Sequence, residues 1–368
     1  MSTATITGTE RHRLLVGDCI EMMRTLPDKC VHTCVTSPPY YGLRDYGVDG
    51  QIGLEASPWE YLDRLVLVFR EVRRVLRDDG TLWVNIGDSY ATGGRGGGGS
   101  YMAERRDDAW KGQSRATGWH SAPAGLKHKD LLGIPWRLAF ALQDDGWYLR
   151  TDVIWNKPNP MPESVKDRPT RSHEYLFLLS KRPRYYYDHA AIAEPLATTS
   201  IARLSQKSWD QQAGSNRIPA KYSGPMKAVG GKRSKRNSFA RETKYSCGGH
   251  GQSGQHRPNR PDVQYDQVRN KRSVWTVSTN GFTGAHFATF PPDLIHPCIL
   301  AGSPRGGLVL DPFGGAGTTA LVAMSEGRRS VLCELNPDYA EIARLRLHLA
   351  KLNGAAQMDV FLDVRETA

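Results

Sequence analysis

The segment Gly307-Leu308-Val309-Leu310-Asp311-Pro312-Phe313-Gly314-Gly315-Ala316-Gly317-Thr318-Thr319 decides the fold of this 368-residue chain. Its apolar start, residues 307–310, predicts a short buried strand, and the residues after the glycines predict the start of a helix. Glycine tolerates positive φ angles and lets the backbone approach a ligand closely. The segment therefore predicts a ligand-binding turn, called here the glycine turn (residues 311–319), at the carboxyl edge of a sheet.

Strands and helices alternate along the rest of the chain. Further strands are predicted at 12–18, 31–36, 81–86, 148–155, 174–179 and 330–334. Helices are predicted through 22–26, from 58 to 76, at 131–143, at 292–301, after the glycine turn and after the last strand. This alternation predicts an α/β fold, in which a mostly parallel twisted sheet carries helices on both faces.

The glycine turn indicates a nucleoside-type cofactor. No lysine follows its last glycine, which argues against a P-loop that cradles a triphosphate. The pattern Gly315-x-Gly317-x-x-Ala320 matches a loose dinucleotide fingerprint. Glu334 ends the next predicted strand, where a carboxylate can accept hydrogen bonds from both ribose hydroxyls. The alternative is a tight structural turn with a glutamate on the surface.

Carboxylates at strand ends shift the interpretation from a dinucleotide to S-adenosylmethionine. Asp311 could hold an ammonium group, which the amino-acid end of that cofactor carries, and Phe313 stands two residues further on. Asp18 follows Gly17 at the end of the first predicted strand and could pair with the exocyclic amine of an adenine ring. We therefore expect Asp18 and Asp311 at the same edge of the sheet.

The segment Thr36-Ser37-Pro38-Pro39-Tyr40, called here the catalytic turn, follows a predicted buried strand. Two consecutive prolines fix φ and remove two N–H donors, which leaves carbonyl oxygens and a hydroxyl beside an aromatic ring. Ser37 Oγ and the Pro38 carbonyl could accept hydrogen bonds from both N–H groups of a base's amino group, so that catalysis would rest on positioning and directed hydrogen bonds. Tyr40 would stack on the base after its rotation out of the duplex. In isolation, the same residues would also fit a proline-stiffened structural turn.

Taken together, these motifs resemble those of the amino-group (N4-cytosine or N6-adenine) DNA methyltransferases. The order of the motifs resembles the permuted class, also called the beta-type order, in which the catalytic motif precedes the cofactor motif. The resemblance covers about 1–90, 130–182 and 274–350 of the chain. It implies a Rossmann-like methyltransferase fold, S-adenosyl-L-methionine as cofactor without a metal, and methyl transfer to a flipped-out base of double-stranded DNA.

The resemblance also implies roles for individual residues. The catalytic residues are Ser37, Pro38, Pro39 and Tyr40. The cofactor-binding residues are Asp18, Phe290, Asp311, Phe313, Gly315, Gly317, Thr318 and Glu334. The residues expected to contact DNA beside the target base are Arg44, Lys157, Arg168 and His173. For His173 and its neighbour Glu174, a structural cap at the start of a strand and polar contacts near the flipped base both stay open.

The catalytic turn favours cytosine N4 as the methyl acceptor. In the enzymes it resembles, Ser-Pro-Pro-Tyr is more typical of cytosine N4 methylation and Asp-Pro-Pro-Tyr of adenine N6 methylation. Adenine N6 stays open, because both amines need the same pair of acceptors. A nicotinamide-dependent oxidoreductase would explain Gly315, Gly317 and Glu334 but not the catalytic turn. A catalytically silent DNA-binding protein would be expected to carry degenerate motifs, and both motifs are intact.

The excess positive charge lies in one segment. The chain has 49 Lys and Arg against 38 Asp and Glu, and residues 190–272 alone hold 16 basic and 5 acidic residues, which accounts for the net charge of +11. Basic side chains of this segment, with Lys232, Arg233, Lys235 and Arg236 foremost, would neutralise DNA phosphates. A disordered, solvated insertion is the alternative, and basic segments often order only on their partner.

The motifs and the charge predict one methyltransferase domain that carries an insertion. Residues 1–185 form its catalytic part, which includes a mobile glycine-rich loop at 91–129. Residues 186–273 form a basic, loop-rich target-recognition region, and residues 274–368 form the AdoMet-binding part of the same domain.

Composition limits the location and the partners. With a mean hydropathy of −0.51 and no apolar stretch of the roughly 20 residues that a membrane helix needs, we expect a cytoplasmic protein of a bacterium, an archaeon or a phage, without membrane contact. Six cysteines without a C-x-x-C pair predict reduced thiols and no metal site. The expected partner is double-stranded DNA. A cognate restriction endonuclease on a separate chain and a homodimer are left open.

Overall fold

The computed structural model describes residues 11–91, 125–160, 162–199, 268–279 and 290–366, with side chains described as far as residue 352. The chain divides into two compact units, of which one is Met1–Ile192 with Arg272–Ala368 and the other is Ala193–Lys271. Both the catalytic turn and the glycine turn belong to the first unit. Two predicted features lie outside the described residues: most of the glycine-rich loop, and the basic cluster of Lys232, Arg233, Lys235 and Arg236.

The described elements follow the alternation that the sequence predicts. The strands are β1 (His12–Val16), β2 (Val31–Thr36), β3 (Leu76–Ile86), β4 (Tyr148–Asn156), β5 (His173–Ser180), β6 (Glu194–Pro195), β7 (Val268–Arg269), β8 (Val274–Thr276), β9 (Leu308–Asp311) and β10 (Arg329–Glu334). The helices are α1 (Cys19–Arg24), α2 (Pro58–Val75), α3 (Ile134–Asp144), α4 (Pro292–Gly302), α5 (Thr318–Ser325) and α6 (Pro337–Glu366).

Eight strands form one sheet in the order β1-β10-β9-β2-β3-β5-β4-β8. All described pairings in it are parallel except those of β5, which runs antiparallel to both β3 and β4. From β2 the chain crosses through α2 to β3 on one side, and from β9 it crosses through α5 to β10 on the other side. The direction of winding therefore changes between β2 and β9, and open α/β sheets bind ligands in the crevice at such a switch point.

Helices cover the sheet on both faces. On one face, Met23 of α1, Phe69 of α2 and Leu138 of α3 are buried in one apolar core with Leu82 of β3. On the other face, residues of α4 and α5 are buried with Trp83 of the same strand. Neighbouring residues of a strand point to opposite faces, so Leu82 and Trp83 enter different cores. The layered, mostly parallel α/β fold predicted from the sequence is confirmed.

The predicted start of the third strand is wrong. The sequence places the helix end at Leu76, a turn at Asp79-Gly80 and a strand from residue 81, whereas β3 already begins at Leu76. Its pairing with β2 shifts from Val31 opposite Leu76 to Thr33 opposite Thr81, so the intervening residues form an irregularity within the strand. At Gly80 an added Cβ would lie 3.1 Å from a carbonyl oxygen of the neighbouring β2, which explains why glycine stands there.

Two further differences have local causes. Helix α3 begins at Ile134 and not at residue 131, because Gly133 takes a left-handed conformation with φ 69° and acts as the N-cap. Strand β8 was not predicted, since three residues are too few to show an alternating pattern.

In the second unit, the described residues form an antiparallel pair of short strands, β6 and β7. Glu194 accepts ion pairs from Arg269 at 3.5 Å and from Lys271 at 3.7 Å. Among the described residues of both units, no helix is both long and apolar enough to cross a membrane.

Candidate active site

The catalytic turn and the glycine turn lie side by side. They follow β2 and β9, which are adjacent parallel strands with Thr33 opposite Val309. A hydrogen bond joins the two strand ends directly, because Thr36 Oγ1 donates to Asp311 Oδ1 at 2.7 Å. The expectation that these two distant segments meet at one edge of the sheet is confirmed.

Asp311 is the buried carboxylate at this junction. Its Oδ1 accepts from Thr36 and from the Phe313 amide at 3.1 Å, and its Oδ2 accepts from the Thr319 hydroxyl at 2.6 Å. Burial raises the pKa of Asp311, while these three donors act in the opposite direction. An oxygen with one donor can accept another hydrogen bond, so Oδ2 could still receive a cationic group. Sequence reasoning identified Asp311 but missed Thr319, whose hydroxyl fixes the carboxylate.

Glu334, the predicted ribose ligand, holds the glycine turn to the end of β10. Its Oε2 accepts from the Gly315 amide at 2.7 Å, and its Oε1 accepts from the Asn336 amide at 2.8 Å. Partial burial raises the pKa of Glu334, and the hydrogen bonds from backbone amides oppose that shift. Each carboxylate oxygen can accept a second hydrogen bond, so two ribose hydroxyls could bind without displacing these amides.

Glycine is required at the bend itself. Gly315 and Gly317 have φ angles of 49° and 82°, which side chains rarely permit. At Gly317 an added Cβ would also lie 3.1 Å from Cβ of Ala343 on α6. From the same helix, Arg346 donates to the Ala316 carbonyl. Sequence reasoning missed Ala343 and Arg346, because neither stands in a motif and only folding brings α6 to this turn.

Asp18 lies at the same edge, beside the end of β10. It is the N-cap of α1, where its Oδ1 accepts from the amides of Ile20 at 2.9 Å and Glu21 at 3.1 Å. The preceding Gly17 donates its amide to the Glu334 carbonyl at 2.9 Å. The structure thus brings the three predicted cofactor carboxylates to the ends of neighbouring strands, as expected.

Residues of α2 and of the segment directly after β3 contact the catalytic turn. Pro38 is buried, and Ser37, Pro39 and Tyr40 are half-buried. The hydroxyl of Tyr61 in α2 donates to the Pro39 carbonyl at 2.7 Å. At Gly87 an added Cβ would lie 2.5 Å from the Tyr40 ring, so the ring packs on bare backbone. Neither Tyr61 nor Gly87 stands in a motif, and sequence reasoning missed both.

The hydroxyl of Tyr40 enters a polar cluster, called here the Glu174 cluster (Tyr40, Asn85, Lys157 and Glu174). Tyr40 donates to Glu174 Oε2 at 2.7 Å, and the Asn85 amide donates to the same oxygen at 3.3 Å. Lys157 donates to Glu174 Oε1. Burial of the hydroxyl and the neighbouring Glu174 carboxylate raise the pKa of Tyr40 well above its usual value. Of the two open interpretations of Glu174, the geometry supports polar contacts beside the catalytic turn.

Two residues predicted to contact DNA lie near the start of β5. Arg168 precedes the strand, and His173 is its first residue. Arg168 donates to Glu163 at 2.6 Å, and its guanidinium lies 4.1 Å over the Tyr90 ring. His173 is half-buried, with its ring edge-on to Tyr175 at 5.5 Å. Lys157, the third, is part of the Glu174 cluster. Contact of these side chains with DNA stays a prediction.

Four further residues of the predicted site are Arg44, Phe290, Phe313 and Thr318. Arg44 is half-buried in the segment after the catalytic turn, where the Tyr46 ring meets Tyr339 of α6 edge-on at 6.2 Å. Phe290 packs partly buried against the second apolar core, and Phe313 against the first. Thr318, also buried, begins α5. Within the described ranges, no group of three or more His, Cys, Asp or Glu side chains could hold a metal ion.

Comparison with known proteins agrees with this geometry. Residues 31–345 match the N6_N4_Mtase family model, described as DNA methylase. The chain belongs to this DNA methylase family. The type II methyltransferase M.Cfr9I of Citrobacter freundii is 47% identical over 335 residues, which cover 91% of this chain and 87% of that protein. M.SmaI of Serratia marcescens is 44% identical over 336 residues, which cover 91% and 90%.

Solved structures share the fold of this methylase. The PvuII DNA methyltransferase (cytosine-N4-specific) superimposes with a TM-score of 0.54 at 17% identity, over 92% of this chain and 88% of that one. A proposed DNA modification methylase of Thermus thermophilus, solved with S-adenosyl-L-methionine, gives a TM-score of 0.50 at 22% identity, over 92% and 94%. The predicted Rossmann-like methyltransferase fold is confirmed.

The cofactor of this methylase is S-adenosyl-L-methionine, as the sequence predicted. The residues at the switch point fit it. The backbone at Gly315 and Gly317 is bare, Glu334 keeps acceptor capacity on both oxygens, and Asp311 keeps it on Oδ2. These groups match the hydroxyls and the ammonium group that the cofactor would present.

Proposed function

We propose that this methylase is a type II enzyme that methylates the exocyclic N4 amino group of cytosine at a specific site in double-stranded DNA. The hydrogen bond between Thr36 and Asp311 carries the proposal, because it joins the segment with the predicted amino-group acceptors to the glycine turn. Ser37 in the catalytic motif supports cytosine over adenine. The type II names of two relatives and the cytosine-N4 name of a structural neighbour agree with it.

The proposed cofactor site uses the carboxyl edge from β1 to β9. Glu334 would bind the ribose hydroxyls, Asp311 the ammonium group and Asp18 the adenine amine. Gly315 and Gly317 would let the backbone of the glycine turn approach the cofactor closely. The flanking contacts would come from Phe290, Phe313 and Thr318. When bound, the cofactor supplies an activated methyl group on a sulfonium sulfur.

The catalytic turn would make a poor nucleophile reactive by positioning it. The amino nitrogen of a base has its lone pair delocalised into the ring. If Ser37 Oγ and the Pro38 carbonyl each accept a hydrogen bond from the amino group, the nitrogen is drawn toward tetrahedral geometry and its lone pair is directed at the cofactor side. The nitrogen loses a proton only after it has become cationic, so we assign no general base. The Tyr40 ring would stack on the flipped base.

DNA contacts would come from two groups of residues. Arg44, Lys157, Arg168 and His173 would lie beside the target base. Lys232, Arg233, Lys235 and Arg236 would bind phosphates within the target-recognition region at 186–273. Reversing the charge of these four residues should weaken DNA binding and flatten its dependence on salt, since each phosphate contact releases counterions. A salt slope equal to that of the wild type would remove this cluster from the interface.

Several wider assignments follow from the family resemblance. The motif order supports the permuted class. The grouping of Met1–Ile192 with Arg272–Ala368 in one compact unit supports the prediction that 1–185 and 274–368 are parts of one methyltransferase domain. A cognate restriction endonuclease on a separate chain is proposed from the type II names of the relatives. We also propose a cytoplasmic location, and a homodimer stays open.

Mass spectrometry of nucleosides tests the proposed base. Unmethylated DNA incubated with the enzyme and AdoMet should yield N4-methylcytosine. N6-methyladenine alone would overturn the cytosine assignment while keeping the methylase. Ser37→Ala and Tyr40→Ala should abolish turnover and leave AdoMet binding, measured by calorimetry, largely in place. Wild-type rates in both variants would show that the catalytic turn is misassigned.

A further inference from the structure

The Glu174 cluster binds the Tyr40 hydroxyl through two residues outside the catalytic motif, Glu174 at 2.7 Å and the Asn85 Oδ1 atom at 3.2 Å. Glu174 is the second residue of β5, opposite Trp155 of β4, and its carboxylate reaches Asn85 at the end of β3. One carboxylate oxygen receives the Tyr40 hydroxyl and the other receives Lys157. The cluster therefore links strands β3, β4 and β5 to the catalytic turn.

Burial makes these contacts specific. The side chains of Lys157 and Glu174 are only 17% and 16% exposed. The Lys157 ammonium also lies 4.1 Å from the centre of the Trp155 ring. Asn85 is 2% exposed and donates from the same nitrogen to the Tyr175 carbonyl at 3.1 Å, which fixes its amide. A carboxylate paired and hydrogen-bonded in this way keeps one orientation.

The Tyr40 ring packs against Gly87 through its Cδ2, Cε2 and Cζ atoms, and its hydroxyl donates to Glu174. A phenol held at both ends cannot rotate freely about its side-chain bonds. We propose that Glu174 is a positioning residue of the transfer reaction, which fixes the Tyr40 ring in the orientation that receives the flipped base, with Lys157 as its counter-charge. The inference rests on the proposed function, but it is independent of whether the base is cytosine or adenine.

A double-mutant cycle tests this proposal with the full-length enzyme, unmethylated DNA and labelled AdoMet. Tyr40→Phe keeps the ring and removes its anchor, so kcat should fall about 2- to 10-fold, the effect of one hydrogen bond. Glu174→Gln keeps the volume but cannot serve both Tyr40 and Lys157, so a similar fall is expected. If Glu174 acts through the Tyr40 hydroxyl, the double variant should be no slower than the slower single variant.

Further measurements separate positioning from structure. The AdoMet dissociation constant of Glu174→Gln should stay within about twofold of the wild type, because Glu174 does not touch the glycine turn. Glu341→Gln, which removes an exposed carboxylate of α6, is the matched control and should keep wild-type kcat. Glu174→Ala should lower kcat by about as much as Tyr40→Phe, about 2- to 10-fold, because both variants remove the same hydrogen bond.

Losses that multiply in the double variant, or wild-type kcat in Glu174→Gln, would show that Glu174 does not act through Tyr40. Lowered AdoMet affinity in Glu174→Gln would instead indicate a general structural role and would also overturn it. Absence of any DNA methylation by the wild type would contradict the proposed function, and that result is read before any variant is compared.

Discussion

Thr36 and Asp311 are 275 positions apart in the sequence and are joined by a hydrogen bond of 2.7 Å. Both side chains are almost completely buried, each at 1% exposure, at the ends of neighbouring strands. The same Asp311 oxygen accepts from the Phe313 amide in the glycine turn. The residue before Ser37 is therefore bonded to the carboxylate proposed to bind the cofactor's ammonium group.

Thr36→Val tests this connection, because valine keeps the shape of threonine and removes its hydroxyl. The variant leaves a buried carboxylate with one donor fewer, so the free energy of unfolding should fall by about 1 to 3 kcal/mol. AdoMet affinity and kcat should fall together. Urea denaturation, calorimetry and a methyl-transfer assay measure the three quantities.

Thr36→Ser is the matched control, because serine keeps the hydroxyl. It should retain AdoMet affinity close to the wild type. Equal AdoMet affinity in Thr36→Val and Thr36→Ser would show that the hydrogen bond does not connect the two turns functionally.

Gly317→Ala should damage cofactor binding more than Gly306→Ala does. Gly317 and Gly306 have similar φ angles of 82° and 77°, so alanine strains the backbone at both by about 1 to 2 kcal/mol. Only at Gly317 does the added Cβ meet a neighbour, Ala343, and only there does it enter the glycine turn. Thermal unfolding should show a stability loss in both variants, the larger one in Gly317→Ala, whereas calorimetry should show weakened AdoMet binding for Gly317→Ala alone. Equal affinities would place the cofactor elsewhere.

Stability should depend on the protonation of His32. The Leu308 amide donates to His32 Nδ1 at 3.0 Å, which requires an unprotonated nitrogen. Burial, followed by the positive charge of Arg77, lowers the pKa of His32 below its ordinary value. A lowered pKa in the folded state means that the unfolded state binds the proton more readily. The stability that neutral His32 gives to the folded state is complete above the unfolded-state pKa of about 6.5. It is lost as the pH falls through that value toward the folded-state pKa.

His32→Asn isolates this contribution, because the asparagine oxygen can stand in for Nδ1 as an acceptor and does not titrate. The wild type should lose more of its Tm than the variant between about pH 7.5 and about pH 5.5, where histidines titrate. Parallel Tm curves for the two proteins would contradict this role of His32.

Thiol labelling should be selective among the described cysteines. Burial raises the pKa of Cys19 to about 12, and it raises the pKa of Cys34 well above its ordinary value. Since the thiolate is the reactive form, both should resist iodoacetamide near neutral pH, whereas the half-buried Cys30 should react first. Peptide mass spectrometry before and after urea denaturation measures the order. Early labelling of Cys34 would mean that the β2 core opens readily.

The sequence was sufficient for the fold class and for the residues within motifs. The strand–glycine–helix pattern around Gly315 and the apolar strand before Ser37 are local signals, because φ preferences and alternation act over a few residues. The same signals placed Asp18, Asp311 and Glu334 at strand ends. Local signals gave the wrong start for β3, because pairing with β2 begins at Leu76 and the strand runs through the turn predicted at Asp79-Gly80.

Only the tertiary structure decided which side chains support the motifs. Glu174, Asn85, Tyr61 and Arg346 stand in separate elements, and no short-range pattern connects them with Tyr40 or with the glycine turn. Their contacts arise because sheet order places β2 between β9 and β3, and β5 beside β3. Sheet order is set by long-range packing of both faces, which a linear sequence read one segment at a time does not display. The sequence was therefore sufficient to predict a methylase and its motif residues, whereas the contacts that orient those residues are formed only in the folded structure.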